Sequence, residues 1–175
     1  MVILVDINDQ EIGSIEKMEA HEKALLHRAF SVFIFNSEGE LLMQQRANDK
    51  YHSAGLWTNT CCSHPFPGED TLVAANRRLY EEMGLKTELK FSFKFLYKAP
   101  FDNDLTEHEI DHVFIGNSDE IPQLNLHEVS NFKYMKLGEI QQDIAIEPEL
   151  YTVWFRIIFS EFIEKISTKE LTNPT

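Results

Sequence analysis

The stretch GEDTLVAANRRLYEEMGL, residues 68–85, carries the clearest local signal in the chain. Asp70 stands where a helix N-cap belongs, because its short carboxylate can accept from the first free backbone N–H groups. Gly84 stands where a helix stops, because glycine takes the left-handed conformation at little steric cost. The pattern between them predicts a helix from Asp70 to Met83. Arg78 and Glu82 are four apart and share one face of it. That face suits a diphosphate carrying one Mg²⁺, with arginine on the phosphate and the carboxylate on the metal. An ordinary i,i+4 ion pair, worth about 0.2–0.5 kcal/mol, accounts for the same two residues.

Outward from this helix the chain alternates between strand and helix signals. VILVDI (2–7) reads as a strand, and AFSVFIF (29–35), NSEGE and LLMQQR (41–46) read as a hairpin. Residues 47–69 are rich in Gly, Pro, Asn and Ser and read as a long ordered loop, a frequent carrier of function. LKFSFKFLYKA (89–99), EHEIDHVFIG (107–116) and FKYMKL (132–137) are further strands. GEIQQDIA and residues 148–166 are helical, and TKELTNPT (168–175) is expected to fray. The order implies an α/β (α+β) fold in which a mixed sheet is layered between helices, as a single domain over 1–175.

The 175 residues suffice for one sizeable core, and 43% hydrophobic with 26% charged residues is an ordinary globular composition. A formal net charge of −13 argues against nucleic acid as a partner. An anionic small substrate therefore needs a local basic cluster or a metal ion. The opening MVILVDINDQ lacks the basic and apolar regions of a secretory signal, and no apolar run is long enough to span a membrane. A cytoplasmic protein without a membrane partner is the expectation, and its two cysteines should be free thiols.

Those cysteines, Cys61 and Cys62, are adjacent in TNTCCSHP (58–65), with His64 two residues beyond. The stretch alone is compatible with half of a metal site, a reactive thiol or an inert buried one. In the strand at 107–116, Glu107 and Glu109 project to one face with Asp111 a third candidate, while Ile110, His112 and Phe114 point the other way. Paired carboxylates repel unless a cation or a shared proton relieves them. A solvated strand face explains them equally. His21, His27 and His64 with the two glutamates could close around one divalent cation, although the spacing alone does not require it.

Taken as a motif, residues 68–85 resemble the Nudix box, G-x5-E-x7-R-E-U-x-E-E-x-G-U. Arg77, Leu79, Glu81, Glu82, Gly84 and Leu85 fit its end, whereas Arg78 replaces one of its glutamates. With AHEKALLHRAFSVFIF, QRANDK, GLWTNTCCSHP, LYKA, TEHEIDHVF and YTVWFR, the chain from about Lys17 to Trp154 resembles type I isopentenyl diphosphate isomerases, a non-hydrolytic Nudix branch. The resemblance implies interconversion of isopentenyl and dimethylallyl diphosphate in isoprenoid biosynthesis. It places Cys62 and Glu109 as proton-transfer groups, with Tyr97 and Trp154 as catalytic aromatics. His21, His27, His64, Glu107 and Glu109 match the ligands of one divalent metal (Mn²⁺, Mg²⁺ or Zn²⁺), and Glu82 matches the ligand of a substrate-borne Mg²⁺. Lys17, Arg46, Lys50 and Arg78 match diphosphate-binding positions. No flavin or other organic cofactor is implied, the partner is a small prenyl diphosphate, and a monomer is expected.

His21 and His27 are six apart here against seven in some members, so the segment between them should take a different path. By composition alone Trp154 and Tyr97 are core aromatics. Two other functions stay in view. A Nudix pyrophosphohydrolase explains the fold but not Arg78, the histidines or Cys62. A non-catalytic metal module makes Cys62 and Trp154 dispensable.

Overall fold

The computed structural model describes residues 1–50, 52–101 and 104–172. The chain runs β1 (Val2–Val5), β2 (Glu11–Ile15), α1 (Lys17–Glu22), β3 (His27–Phe35), β4 (Leu41–Arg46), β5 (Trp57–Thr58) and β6 (Cys61–Ser63). It continues through α2 (Thr71–Met83), β7 (Lys90–Phe101), β8 (Leu105–Asn117), β9 (Val129–Met135) and α3 (Leu137–Ile146). A 3₁₀ turn at Pro148–Leu150 leads into α4 (Val153–Thr172). The short elements β2 and α1 have no counterpart in the sequence reading, and the loop expected at 47–69 contains β5 and β6. Of the tail expected to fray, residues up to Thr172 are helical and 173–175 lie outside the described residues.

Helix α2 forms where its termini predict. Asp70 accepts from Leu72 N and Val73 N at 2.9 and 3.1 Å, and Gly84 closes the helix at φ 66°. Its buried face, Ala74, Ala75, Leu79 and Met83, packs on Phe30, Val32, Ile34, Leu42 and Phe114 of the sheet. The opposite sheet face, with Phe33, Leu41, Met43 and Val113, packs on Phe155, Ile158 and Phe162 of α4. Phe33 and Phe162 stack with centroids 4.5 Å apart. The sheet is therefore layered between α2 and α4, with an apolar core on each side.

Its spine is β3, which pairs in parallel with β8 from His27↔Glu109 to Phe35↔Asn117. β8 pairs antiparallel with β7, and β4 with β9. The β3–β4 hairpin exists at its base, Phe35↔Leu41, and then splays. Residues 58–63 enter the gap. Thr60 Oγ1 accepts from Ile34 N at 3.0 Å and donates to Leu42 O at 2.6 Å, bridging the two strands with one hydroxyl. Asn59 Nδ2 donates to Val32 O and Cys61 O. Beyond this wedge β6 pairs with β3, opposing Cys62 to Ser31 and Cys61 to Val32. Among the described residues no helix is long and apolar enough to cross a membrane.

Candidate active site

Strand register alone assembles the heart of the site. Glu109 on β8 is directly opposite His27 on β3 and Tyr97 on β7. Glu107, Glu109 and Asp111 share one face, as their alternation requires, and all three are buried. His64 follows β6. His21 comes from α1, whose end turns sharply: Leu25 N donates to Ala20 O at 2.9 Å while Ala24 takes φ 51°. This left-handed residue is how the shortened segment still delivers both His21 and His27 to one place.

One ligand atom from each of His21, His27, His64 and Glu109 lies within 4.8 Å of all the others. His27 Nδ1 is 2.8 Å from Leu25 O, which can only accept. A neutral His27 thus spends its single N–H there, and its Nε2 meets Glu109 Oε1 at 3.1 Å acceptor to acceptor. A cation relieves that contact. Three imidazoles and a carboxylate are a fitting mixed donor set for a divalent ion, and the Leu25 carbonyl fixes the His27 ring as an outer partner does around metals. Burial pushes the histidine protons off, to about 3 for His21 and about 4 for His64. Glu107 stands outside the close set of four. It is joined to Glu109 through Tyr97, whose hydroxyl lies 2.9 Å from Glu107 Oε2 and 2.7 Å from Glu109 Oε2.

The two glutamates are held at opposite ends of the acid scale. Burial raises both, and the charge of Glu109 raises Glu107 further. For Glu109 the adjoining His27 and His64 rings more than offset burial and hold it well below the usual range.

The adjacent cysteines part company because successive strand residues face opposite ways. Cys61 is fully buried in the core under α2. Cys62 lines a pocket of about 50 Å³, together with His64, Tyr97, Glu109 and Trp154. Burial, then the Glu82 carboxylate, pushes the Cys62 thiol up to about 12, so it keeps its proton at neutral pH. Trp154 has the Arg46 guanidinium 5.1 Å from its ring centroid and the His52 ring edge-on at 5.7 Å.

A second pocket adjoins the first and shares Lys17, Arg46, Cys62 and Ser63 with it. It adds Lys50 and Arg78, so all four basic residues singled out in the sequence line one cavity. Arg46 Nε is buried there without a hydrogen-bond partner among the described residues. Glu82 lies in the same wall, accepting from Gln44 Nε2 at 2.8 Å and from Arg78 Nη2 at 2.6 Å. The i,i+4 ion pair is therefore formed, but inside a cavity rather than on an exposed face.

A NUDIX domain profile matches residues 25–155. A Pectobacterium atrosepticum protein named isopentenyl-diphosphate Delta-isomerase is 55% identical over 159 residues, spanning 91% of this chain and 89% of the relative. A Photorhabdus laumondii protein named isopentenyl-diphosphate Delta-isomerase 2 is 51% identical, spanning 91% and 90%. The chain belongs to the isopentenyl-diphosphate Delta-isomerase family. Its fold is shared more widely: DR0079 from Deinococcus radiodurans superposes with a TM-score of 0.69 at 21% identity, covering 83% of this chain and 88% of that one.

Within this isomerase-family site, several residues carried no signal in the sequence. Gln44 orients Glu82, Ser31 Oγ donates to Asp111 at 2.8 Å, and His52 walls the first pocket. Glu128 enters the second pocket from the loop before β9. Gln44 and Ser31 arrive through long-range strand pairing and His52 and Glu128 on loops between strands, which no local pattern announces.

Proposed function

We propose that this chain interconverts isopentenyl diphosphate and dimethylallyl diphosphate, acting as a monomer whose residues 1–175 form one catalytic domain. The terminal alkene carbon gains a proton, a tertiary cationic centre forms, and the methylene on its other side loses a proton. The formula is unchanged and the double bond moves by one carbon. What carries the reading is the pairing of two pockets: an acid–base pocket holding Cys62, Glu109, Tyr97 and Trp154, joined to a basic pocket holding Lys17, Arg46, Lys50 and Arg78.

In this reading Cys62 and Glu109 exchange protons with the two reacting carbons. Cys62 brings a thiol that retains its proton, and Glu109 brings a carboxylate that stays ionised. Tyr97 shares its proton with Glu109. The Trp154 face stabilises the cationic carbon, an attraction worth about 2 kcal/mol when desolvated. His21, His27, His64, Glu107 and Glu109 would hold a divalent metal (Mn²⁺, Mg²⁺ or Zn²⁺) that fixes the Glu109 carboxylate and supplies positive charge beside it. Glu82 would take the Mg²⁺ that accompanies the diphosphate.

Incubation with isopentenyl diphosphate and Mg²⁺ in D₂O, followed by NMR, tests the proposal. Deuterium-labelled dimethylallyl diphosphate is the expected product, with no orthophosphate beyond background. Orthophosphate release without isomerisation would reassign the chain to hydrolysis.

A further inference from the structure

Glu128 has no part in the assignments above, yet it stands among the diphosphate-binding cations. Its Oε2 is 2.5 Å from Lys50 Nζ and 3.4 Å from Arg78 Nη2. The same Arg78 nitrogen contacts Glu82 Oε1 at 2.6 Å. Two carboxylates from distant parts of the chain, one on α2 and one before β9, thus converge on a single guanidinium nitrogen. Glu128 is positioned by pairing rather than by chance. Its carbonyl accepts from Ala47 N at 3.0 Å, and its own N–H reaches Asn125 O at 2.8 Å.

A pocket meant to hold a free diphosphate gains nothing from a carboxylate between two of its cations. Each carboxylate repels the phosphates and occupies donors that would bind them. A magnesium-complexed diphosphate changes the balance. It carries two fewer negative charges, and its metal wants oxygen ligands, keeping several waters that carboxylates can accept from. A cation that takes the place of Arg78 Nη2 has oxygens of both Glu82 and Glu128 at hand. Arg78, released from Glu82, is then free to grip phosphate bidentately.

We propose that Glu128 is a specificity-determining residue that, with Glu82, makes this pocket select the magnesium complex of a diphosphate over the free anion. Glu82 takes the metal, Glu128 faces its water shell while retaining Lys50, and both penalise an uncomplexed diphosphate. The inference rests on the isomerase reading for the location of the diphosphate, but its test does not require turnover.

The test is calorimetric binding of inorganic pyrophosphate to the full chain, with excess Mg²⁺ and with no added divalent ion. The quantity read is the ratio of the two affinities. The wild type should favour the magnesium complex, and the isosteric, partly exposed Glu128→Gln should lower that ratio about tenfold, in the same sense as Glu82→Gln. A merely structural role would change both affinities by one factor and leave the ratio alone, and that result overturns the proposal. If the ratio shifts as expected but the wild type produces no dimethylallyl diphosphate, the selectivity stands and the isomerase reading falls. If isomerisation is found and the ratio is unmoved, the reverse holds.

Discussion

Tyr97 and Glu109 face each other across β7 and β8, and the phenol donates to Glu109 Oε2 at 2.7 Å. The other oxygen, Oε1, lies 3.1 Å from His27 Nε2 and 2.9 Å from His64 Nε2. One buried carboxylate therefore has a histidine-facing oxygen and a phenol-facing oxygen. Burial and the neighbouring glutamates raise the Tyr97 phenol well above its ordinary range, so it remains a donor. Tyr97→Phe removes that donor without opening a cavity. Its kcat should fall about 10- to 100-fold, the equivalent of about 1.5–3 kcal/mol for a hydrogen bond to a charged group. KM for isopentenyl diphosphate should stay within about threefold. A loss confined to KM would place Tyr97 on the substrate-binding side instead.

The cysteine pair divides between pocket and core within two residues. Cys62→Ala should abolish isomerisation and barely move the melting temperature. Cys61→Ala leaves a void in the core under α2 and should cost about 1–2 kcal/mol of stability, with activity largely kept. With its thiol at about 12, Cys62 should also react with iodoacetamide slowly at pH 7 and faster as the pH rises. Equal activity losses in the two alanine variants would count against the assignment.

Metal removal is the next expectation. Exhaustive chelation should lower both activity and melting temperature, and added Mn²⁺ or Zn²⁺ should restore both. Saturation at about 100 times Kd adds about 2.7 kcal/mol to stability by mass action. Elemental analysis should find one ion per chain in the wild type and a reduced content in His27→Ala. Full activity of a demonstrably metal-free protein would refute the reading of His21, His27, His64 and Glu109 as a metal site.

His52 offers a pH test away from those ligands. Burial, then the Arg46 charge, pushes it down to about 3, against about 6.5 in an unfolded chain. Both states are neutral above pH 6.5. As the pH falls, the unfolded chain binds a proton that folded His52 refuses, so its contribution to stability is lost progressively from about 6.5 toward 3. Buried Asp111, raised to about 8 by desolvation and then Glu109, titrates in the opposite sense, so the informative quantity is a difference. Between pH 7 and 5 the wild type should lose stability relative to His52→Gln. Parallel melting curves across that range would show that His52 is not buried as a neutral ring.

How far the sequence could be read follows the range of the interactions involved. Helix α2 was legible because Asp70 and Gly84 act within one turn of chain. The common face of Glu107 and Glu109 was legible because strand alternation is strictly local. The basic pocket was indicated by matched positions and is assembled by the fold, where Lys17, Arg46, Lys50 and Arg78 meet from four elements or loops. The hairpin from 29 to 46 was anticipated, but its splaying was not. That feature depends on residues 58–63, which read as loop because their strand partners lie up to 33 positions upstream. Glu128 and His52 were illegible for the same reason: nothing near them in sequence marks where the strands flanking their loops will place them.

The wedge in that hairpin yields the final prediction. Thr60 gives its hydroxyl to Leu42 O and takes Ile34 N–H, and Cys62 follows two residues later on β6. Thr60→Val keeps the shape and removes both bonds, leaving a buried donor and a buried acceptor unpaired. Each orphan costs about 1–3 kcal/mol, so a total of about 2–6 kcal/mol is expected. For a chain of this size that corresponds to a melting temperature lower by about 4–24 °C. Because the wedge sets the register of β6 on β3, kcat should fall as well even below the melting range. Thr87→Val is the comparison, since its hydroxyl makes a similar bond to Asn117 O at an exposed site. Water can replace that partner, so it should cost under about 1 kcal/mol and leave kcat unchanged. If the two variants melt together, the hydroxyl of Thr60 is not what holds β3 and β4 apart, and the placement of Cys62 must rest on Asn59 and the β6 pairing instead.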